Sequence, residues 1–237
     1  MTAGVFALLL LASDADALAA KARTATAEWL GQLPDFLCDQ TNRRMVSVDQ
    51  GRSWRATDTH EVEVTYLRGR ERYRLLRLNG VAVLGDQVAN ANTLGSAGEF
   101  ATALKTLFDA GTEPEFRDGG KDRDLRKLTF RVLAEHSRWS IGTDVRMNPG
   151  YQGSISVEES TGRVHRITMM SQEFPRGFAV RSVAHTTEYG SVEIGGQPFL
   201  LPLRSLVEAC NDKGRCQRSV IGFTNYRKFA AESKIVP

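Results

Sequence analysis

Four histidines, three cysteines and one arginine-dense hairpin are the residues of this sequence whose types could carry chemistry. His60, His136, His165 and His185 stand singly, with no i,i+2 or i,i+4 pair, and His60-Glu61 lacks the second histidine of a zincin helix. A composite site would need a sheet to gather distant strands, and an enzyme alternative is kept around His165 and His185. The plainer expectation is that each histidine is a wet or half-buried strand residue, so no metal and no other cofactor is expected. Neither G-x-S-x-G nor a phosphate loop occurs: Gly95-Ser-Ala-Gly98 lacks the lysine and the spacing, and Ser96 to Glu99 reads as a capping box. Glu61/Glu63 and Glu158/Glu159 read as solvated carboxylates. No catalytic residue is nominated.

Cys210 and Cys216 bracket Asn-Asp-Lys-Gly-Arg, a polar turn between two strand-like runs, which brings the thiols together across a hairpin mouth. A disulfide is expected if the protein is exported, and two free thiols if it is cytosolic. Cys38 is left without a partner and is expected to be a small buried residue. Arg68, Arg70, Arg72, Arg74 and Arg77 gather around one hairpin. At period two the first four would share one face of an unbroken strand, a basic patch for phosphate, lipid head groups or an acidic partner. If the turn near Gly69 divides them, they form instead a solvated edge that discourages strand-to-strand association.

The formal net charge of +3 is too even a balance to argue for nucleic acid. With 41% hydrophobic and 25% charged residues, the 237-residue chain suits a single core of sandwich or barrel size. Gly4 to Ala12 is an apolar run of signal-peptide length, followed by two A-x-A patterns, Ala15-Asp-Ala17 and Ala17-Leu-Ala19. Met1-Thr-Ala carries no basic residue, unlike an ordinary signal sequence. Residues 1–19 are read as a signal peptide lacking its basic start, and residues 20–237 as one mature domain, periplasmic or secreted. The alternative is the apolar beginning of a helix. No other segment is apolar enough to span a membrane.

Short elements position these residues. From Ala19 to Leu30, Ala, Lys, Arg, Glu and Leu predict a helix that stops at Gly31 and turns Leu18, Ala22, Ala25 and Trp29 inward. Phe36 to Val46 reads as a strand, and His60 to Leu67 alternates, with Val62, Val64 and Tyr66 opposite Glu61, Glu63 and Thr65. Arg68 to Arg72 reads as the hairpin turn, and Tyr73 to Gly80 returns. A loop over Gly85 to Gly95 leads to a helix with Phe100, Leu104, Leu107 and Phe108 in period, and Thr112 to Asp124 reads as an exposed loop. Leu128, Phe130, Val132 and Ala134 mark another strand. From Gly153 to Tyr226 a meander of strands turns at Thr161-Gly162 and Gly195-Gly196. The class is α+β: a strongly curved antiparallel sheet, an open half-barrel, with helices covering its concave face.

Leu33-Pro-Asp-Phe-Leu-Cys-Asp-Gln after the first helix, Val62-Glu-Val-Thr-Tyr, Tyr73-Arg-Leu-Leu-Arg-Leu-Asn-Gly, Glu158-Glu-Ser-Thr-Gly-Arg-Val-His-Arg-Ile, Val192-Glu-Ile-Gly-Gly-Gln-Pro-Phe-Leu-Leu-Pro and Phe223-Thr-Asn-Tyr-Arg-Lys-Phe come in an order that is similar to one group. The chain resembles exported bacterial proteins related to the outer-membrane lipoprotein carrier and to the anti-sigma-factor-binding regulator of the envelope stress response. The resemblance covers most of the chain and implies an open β-barrel, a non-enzymatic role, and a lipid- or acyl-sized groove for a lipoprotein or envelope component. No motif for lipoprotein handover is recognisable.

The first expectation is therefore a groove for an apolar ligand or lipoprotein, lined by Val62, Val64, Tyr66, Phe130, Val132, Ile167, Met169 and Phe199, with Phe100 and Leu104 from the covering helix. Alternation alone assigns the side of the sheet. The second is an interaction module that meets an envelope protein through the arginine hairpin, with the groove a filled core. The third is the composite histidine enzyme.

Overall fold

The computed structural model describes residues 13–84, 100, 102–142 and 145–229. The apolar run before Ser13, the loop from Gly85 to Gly95 and the cap at Ser96 to Glu99 lie outside the described residues. Ser13 opens helix α1 (Asp14–Gln32): its hydroxyl accepts from the Asp16 N–H, and the Asp16 carboxylate accepts from the Ser13 N–H. This capping box starts the helix earlier than the predicted Ala19. Gly31 lies inside its last turn, and Leu33, held extended by the following Pro34, ends it. Ala15, Ala19, Ala22 and Thr26 recur at helical spacing as its buried stripe, with Leu18, Ala25 and Trp29 half-buried beside it.

Among the described residues eleven strands form one antiparallel sheet. They are β1 (Phe36–Ser47), β2 (Arg55–Leu67), β3 (Arg70–Leu78), β4 (Val81–Ala82), β5 (Glu115–Asp122), β6 (Leu125–Val132), β7 (Tyr151–Val157), β8 (Val164–Ser171), β9 (Ser182–Ile194), β10 (Gln197–Cys210) and β11 (Cys216–Lys228). Helix α2 (Thr102–Phe108) lies between β4 and β5 in sequence. The order across the sheet is β4-β3-β2-β1-β11-β10-β9-β8-β7-β6-β5. Two meanders are thus zipped together by β1 pairing with β11, and β4 and β5 are free edges, so the sheet is open. Bulges interrupt the register at several pairs, including β1–β2, β7–β8 and β9–β10, and each adds local twist and bend. A sheet this wide cannot stay flat without curling.

Three expectations are corrected. The charged, glycine-bearing stretch read as a loop contains edge strand β5, because an edge needs only one pairing partner and tolerates charge on the other side. Ala134 does not continue β6: Ala134–His136 is a 3-10 turn, so His136 belongs to no strand. The hairpin turn read over Arg68 to Arg72 is only Arg68-Gly69, both at positive φ, so Arg70 and Arg72 are strand residues of β3.

Facing residues of antiparallel strands share a face, and burial marks one face of the sheet. A first apolar cluster joins Leu128, Phe130 and Val132 of β6, Ile155 and Val157 of β7, and Ile167 and Met169 of β8 to Ala15, Ala19 and Ala22 of α1 and to Leu104 and Leu107 of α2. A second joins Phe36 and Cys38 of β1, Val62, Val64 and Tyr66 of β2, Leu201 of β10, and Ile221 and Phe223 of β11 to Phe100. The chain leaves the sheet at edge β4 and re-enters at edge β5, and its buried residues on the way, Phe100 and then Leu104 and Leu107, fall in the second and first clusters in turn.

Candidate ligand-binding face

Each apolar anchor sits where pleat alternation puts it. Val62, Val64 and Tyr66 face Gln40, Cys38 and Phe36 across the β1–β2 ladder, and Phe36 stacks on Tyr66 with ring centroids 5.0 Å apart. Phe130 lies over Gly153 of β7, where a Cβ would come within 2.7 Å of its ring and 1.9 Å of the Thr168 carbonyl oxygen. Glycine is required at that close approach. Of the ten residues expected to line a groove, Val62, Val64, Tyr66 and Phe100 are buried in the second cluster, and Leu104, Phe130, Val132, Ile167 and Met169 in the first. Phe199 is half-buried against the second, near the tip of the β9–β10 hairpin. Trp29 of α1 touches both clusters and meets Tyr189 edge-on at 5.9 Å.

A cavity of about 360 Å³ opens where α1 meets this face, with Ala15, Leu18 and Leu128 on its apolar side and Asp14, Lys21, Arg126 and Glu159 at its rim. The rim charges are engaged. Lys21 Nζ donates to the carbonyl oxygens of Glu159 and Ser160 at 2.7 and 2.6 Å, and Arg126 pairs with Asp118 at 2.6 Å. Its volume falls at the lower end of small-molecule sites.

Sequence reasoning missed a polar band on the same face. One row of facing residues runs Ile167, Thr187, Ser205, Ile221, Asn42, His60, and the next runs Met169, His185, Val207, Ser219, Arg44, Asp58. His185 Nε2 lies 3.0 Å from the hydroxyls of both Ser205 and Thr187, which are 2.7 Å apart. Burial pulls the His185 pKa down to about 4, the residue as a whole being half-buried. Arg44 binds Asp58 through Nε and Nη2 at 2.6 and 2.8 Å and holds its carboxyl below the usual carboxylate range. Asp58 also meets His60 Nε2 at 3.0 Å, yet burial keeps His60 below the ordinary imidazole value. The signal was available: in β1, Gln40, Asn42 and Arg44 keep step with Phe36 and Cys38.

The histidines nominated for a composite site are not gathered. His185 faces Met169 of β8, several residues along the strand from His165, which sits at a bulge 3.9 Å from Glu158. His136 lies 3.6 Å from Glu113. Of the two placements expected for a strand histidine, wet or half-buried, His185 has the second, on the face that carries the apolar clusters. As a base for Ser205 it is weak: a pKa near 4 gives little proton affinity, and Ser205 Oγ already donates to the Thr186 carbonyl at 3.1 Å. No group of three or more His, Cys, Asp or Glu side chains is placed to hold a metal among the described residues.

On the opposite face the arginine hairpin is partly neutralised. Arg74 binds Glu63 at 2.8 Å and Arg77 binds Glu61 at 3.0 Å, which leaves Arg68, Arg70 and Arg72 as its exposed end. Cys210 and Cys216 form the disulfide that closes the β10–β11 hairpin. Cys38 is free, and burial foremost pushes its thiol far above the usual range, so it is inert.

Fold and face define an α+β protein with an open antiparallel sheet, one side of which is apolar with a polar band across it. No family model matches the chain, and no curated protein matches it. Two solved structures similar to it are a LolA superfamily protein from Nitrosomonas europaea and a DUF1329 family protein from Desulfovibrio piger. The first is 14% identical with a TM-score of 0.46, the alignment covering 95% of this chain and 98% of that one. The second is 11% identical with a TM-score of 0.48, covering 94% and 96%.

Proposed function

We propose that this is an exported, non-enzymatic protein that binds an apolar ligand, a lipid, acyl chain or lipoprotein, between the helices and the concave face of a curved sheet. The observation that carries the reading is the cavity of about 360 Å³ between α1 and the apolar face. The sheet is open at both edges, and α1 meets it through the small residues Ala15, Ala19 and Ala22 as well as through Leu18 and Trp29. The Cys210–Cys216 disulfide supports an oxidising compartment, periplasmic or secreted. No described helix is long and apolar enough to cross a membrane. This reading needs α1 from Asp14 onward in the exported protein, because Ala15 lines the cavity and Ala15 and Ala19 pack in the first cluster, so it sets the start of the domain before the Ala20 expected from the sequence.

The test is binding of a fluorescent acyl-chain probe to the purified protein. Saturable one-to-one binding is expected, and Ala15→Phe, which fills the cavity, should weaken it at least about tenfold. Undetectable binding, or binding unaffected by filling, would count against the reading.

A second reading assigns an acidic envelope partner to the exposed Arg68, Arg70 and Arg72. It is favoured by the absence, among the described residues, of a side-chain ion pair at Arg70 and Arg72 like those of Arg74 and Arg77. Charge reversal of Arg70 and Arg72 should then abolish partner capture, and an unchanged pull-down from the envelope would remove the idea.

A further inference from the structure

We propose that the polar band across β9, β10, β11, β1 and β2 is a subsite for the head group of an amphiphile, and that this head group is uncharged and rich in hydroxyl or amide groups. The inference rests on reading this face as a ligand-binding one and names the class of ligand. Position argues for it first. The rows that begin at Ile167 and Met169 in the first cluster reach Asn42 and His60 beside Gln40 and Val62 of β1 and β2, so an acyl chain on either cluster brings its polar end to the band.

Charge argues second. The Arg44 guanidinium is matched by Asp58 in a two-point pair, and burial keeps the imidazoles of His60 and His185 neutral at physiological pH. The band therefore cancels its own charge and presents no unmatched cation to a carboxylate or phosphate. Its Thr187 and Ser205 hydroxyls hold each other and His185 in place, which presets the geometry that a ligand would meet.

Unmet hydrogen bonding argues third. Asn42 is only 6% exposed, and its Oδ1 has no hydrogen-bond partner among the described residues. Trp29 Nε1, where the two clusters meet, and the Tyr151 hydroxyl, in the first cluster, are likewise buried without a partner. Such atoms are costly to leave unpaired and rare in a packed interior. A hydroxyl or amide supplies the donor that Asn42 needs and can equally accept from an indole N–H such as that of Trp29. A hydrocarbon supplies neither, and a carboxylate supplies only acceptors.

The test compares 1-monooleoylglycerol, oleate and 1-octadecene, each measured by equilibrium dialysis against the full chain. Monooleoylglycerol should bind at least about tenfold more tightly than either of the others. Asn42→Leu, which keeps the volume and removes the unpaired oxygen, should erase that advantage while leaving octadecene binding unchanged. Thr187→Val, an isosteric change in the same row as Asn42, serves as a second variant should Asn42→Leu fold poorly, and should also narrow the gap. Equal binding of the three probes, tighter binding of oleate, or variants that weaken all three alike would overturn the head-group subsite while the apolar face stands. Binding of none would overturn the face itself and the subsite with it.

Discussion

His185 shows how far a single side chain can be misjudged from its neighbours in sequence. Between Ala184 and Thr186 it looks like any strand histidine, but its cross-strand partner Val207 and the Thr187 and Ser205 hydroxyls enclose it. Its folded pKa, about 4, lies below the ordinary 6.5, so between those values the unfolded chain binds the extra proton. The stabilising contribution is complete above pH 6.5 and is lost as the pH falls toward 4. The wild-type protein should lose on the order of 3 kcal/mol more than His185→Gln across that window, measured by urea unfolding at several pH values. Parallel pH dependence of the two proteins would mean that His185 is solvated after all. The same blindness hid Asn42 and Ser205, because alternation finds a buried face by its apolar residues, and polar ones there read as outward.

At the scale of elements, the strands whose faces differ in polarity were legible. The alternation of Val62, Val64 and Tyr66 set β2, the glycine pair at Gly195-Gly196 set the β9–β10 turn, and Cys210 and Cys216 marked the hairpin mouth. What failed was decided elsewhere than in local composition. β5 is made a strand by its pairing with β6, not by its own charged residues, and α1 begins where Ser13 and Asp16 cap it. Two outcomes follow. Gly153→Ala forces a Cβ into the Thr168 carbonyl, so it should destabilise by about 3 kcal/mol or leave β7 unpaired, read as a drop in melting temperature. Replacing Cys210 and Cys216 by serine should cost about 2 kcal/mol of stability by denaturant unfolding, since the loop they close is short. An unchanged midpoint would show that the hairpin is held by its ladder alone.

For the whole molecule, the α+β class and the antiparallel sheet follow from the order of elements, whereas the open edges are seen only in the structure, where β4 and β5 each pair on one side. Those edges are not ready templates for association: β4 is two residues long, and β5 carries a bulge at Gly119-Gly120 and a run of charges. The ligand was not legible, since a groove and a filled core are lined by the same residue types and differ only in packing. The most direct test of an apolar ligand on this face is native mass spectrometry of the protein isolated from its own cells under non-denaturing conditions. A bound mass of one lipid-sized ligand, released on unfolding, is expected. A ligand-free protein that also fails to take up added acyl lipid would contradict it.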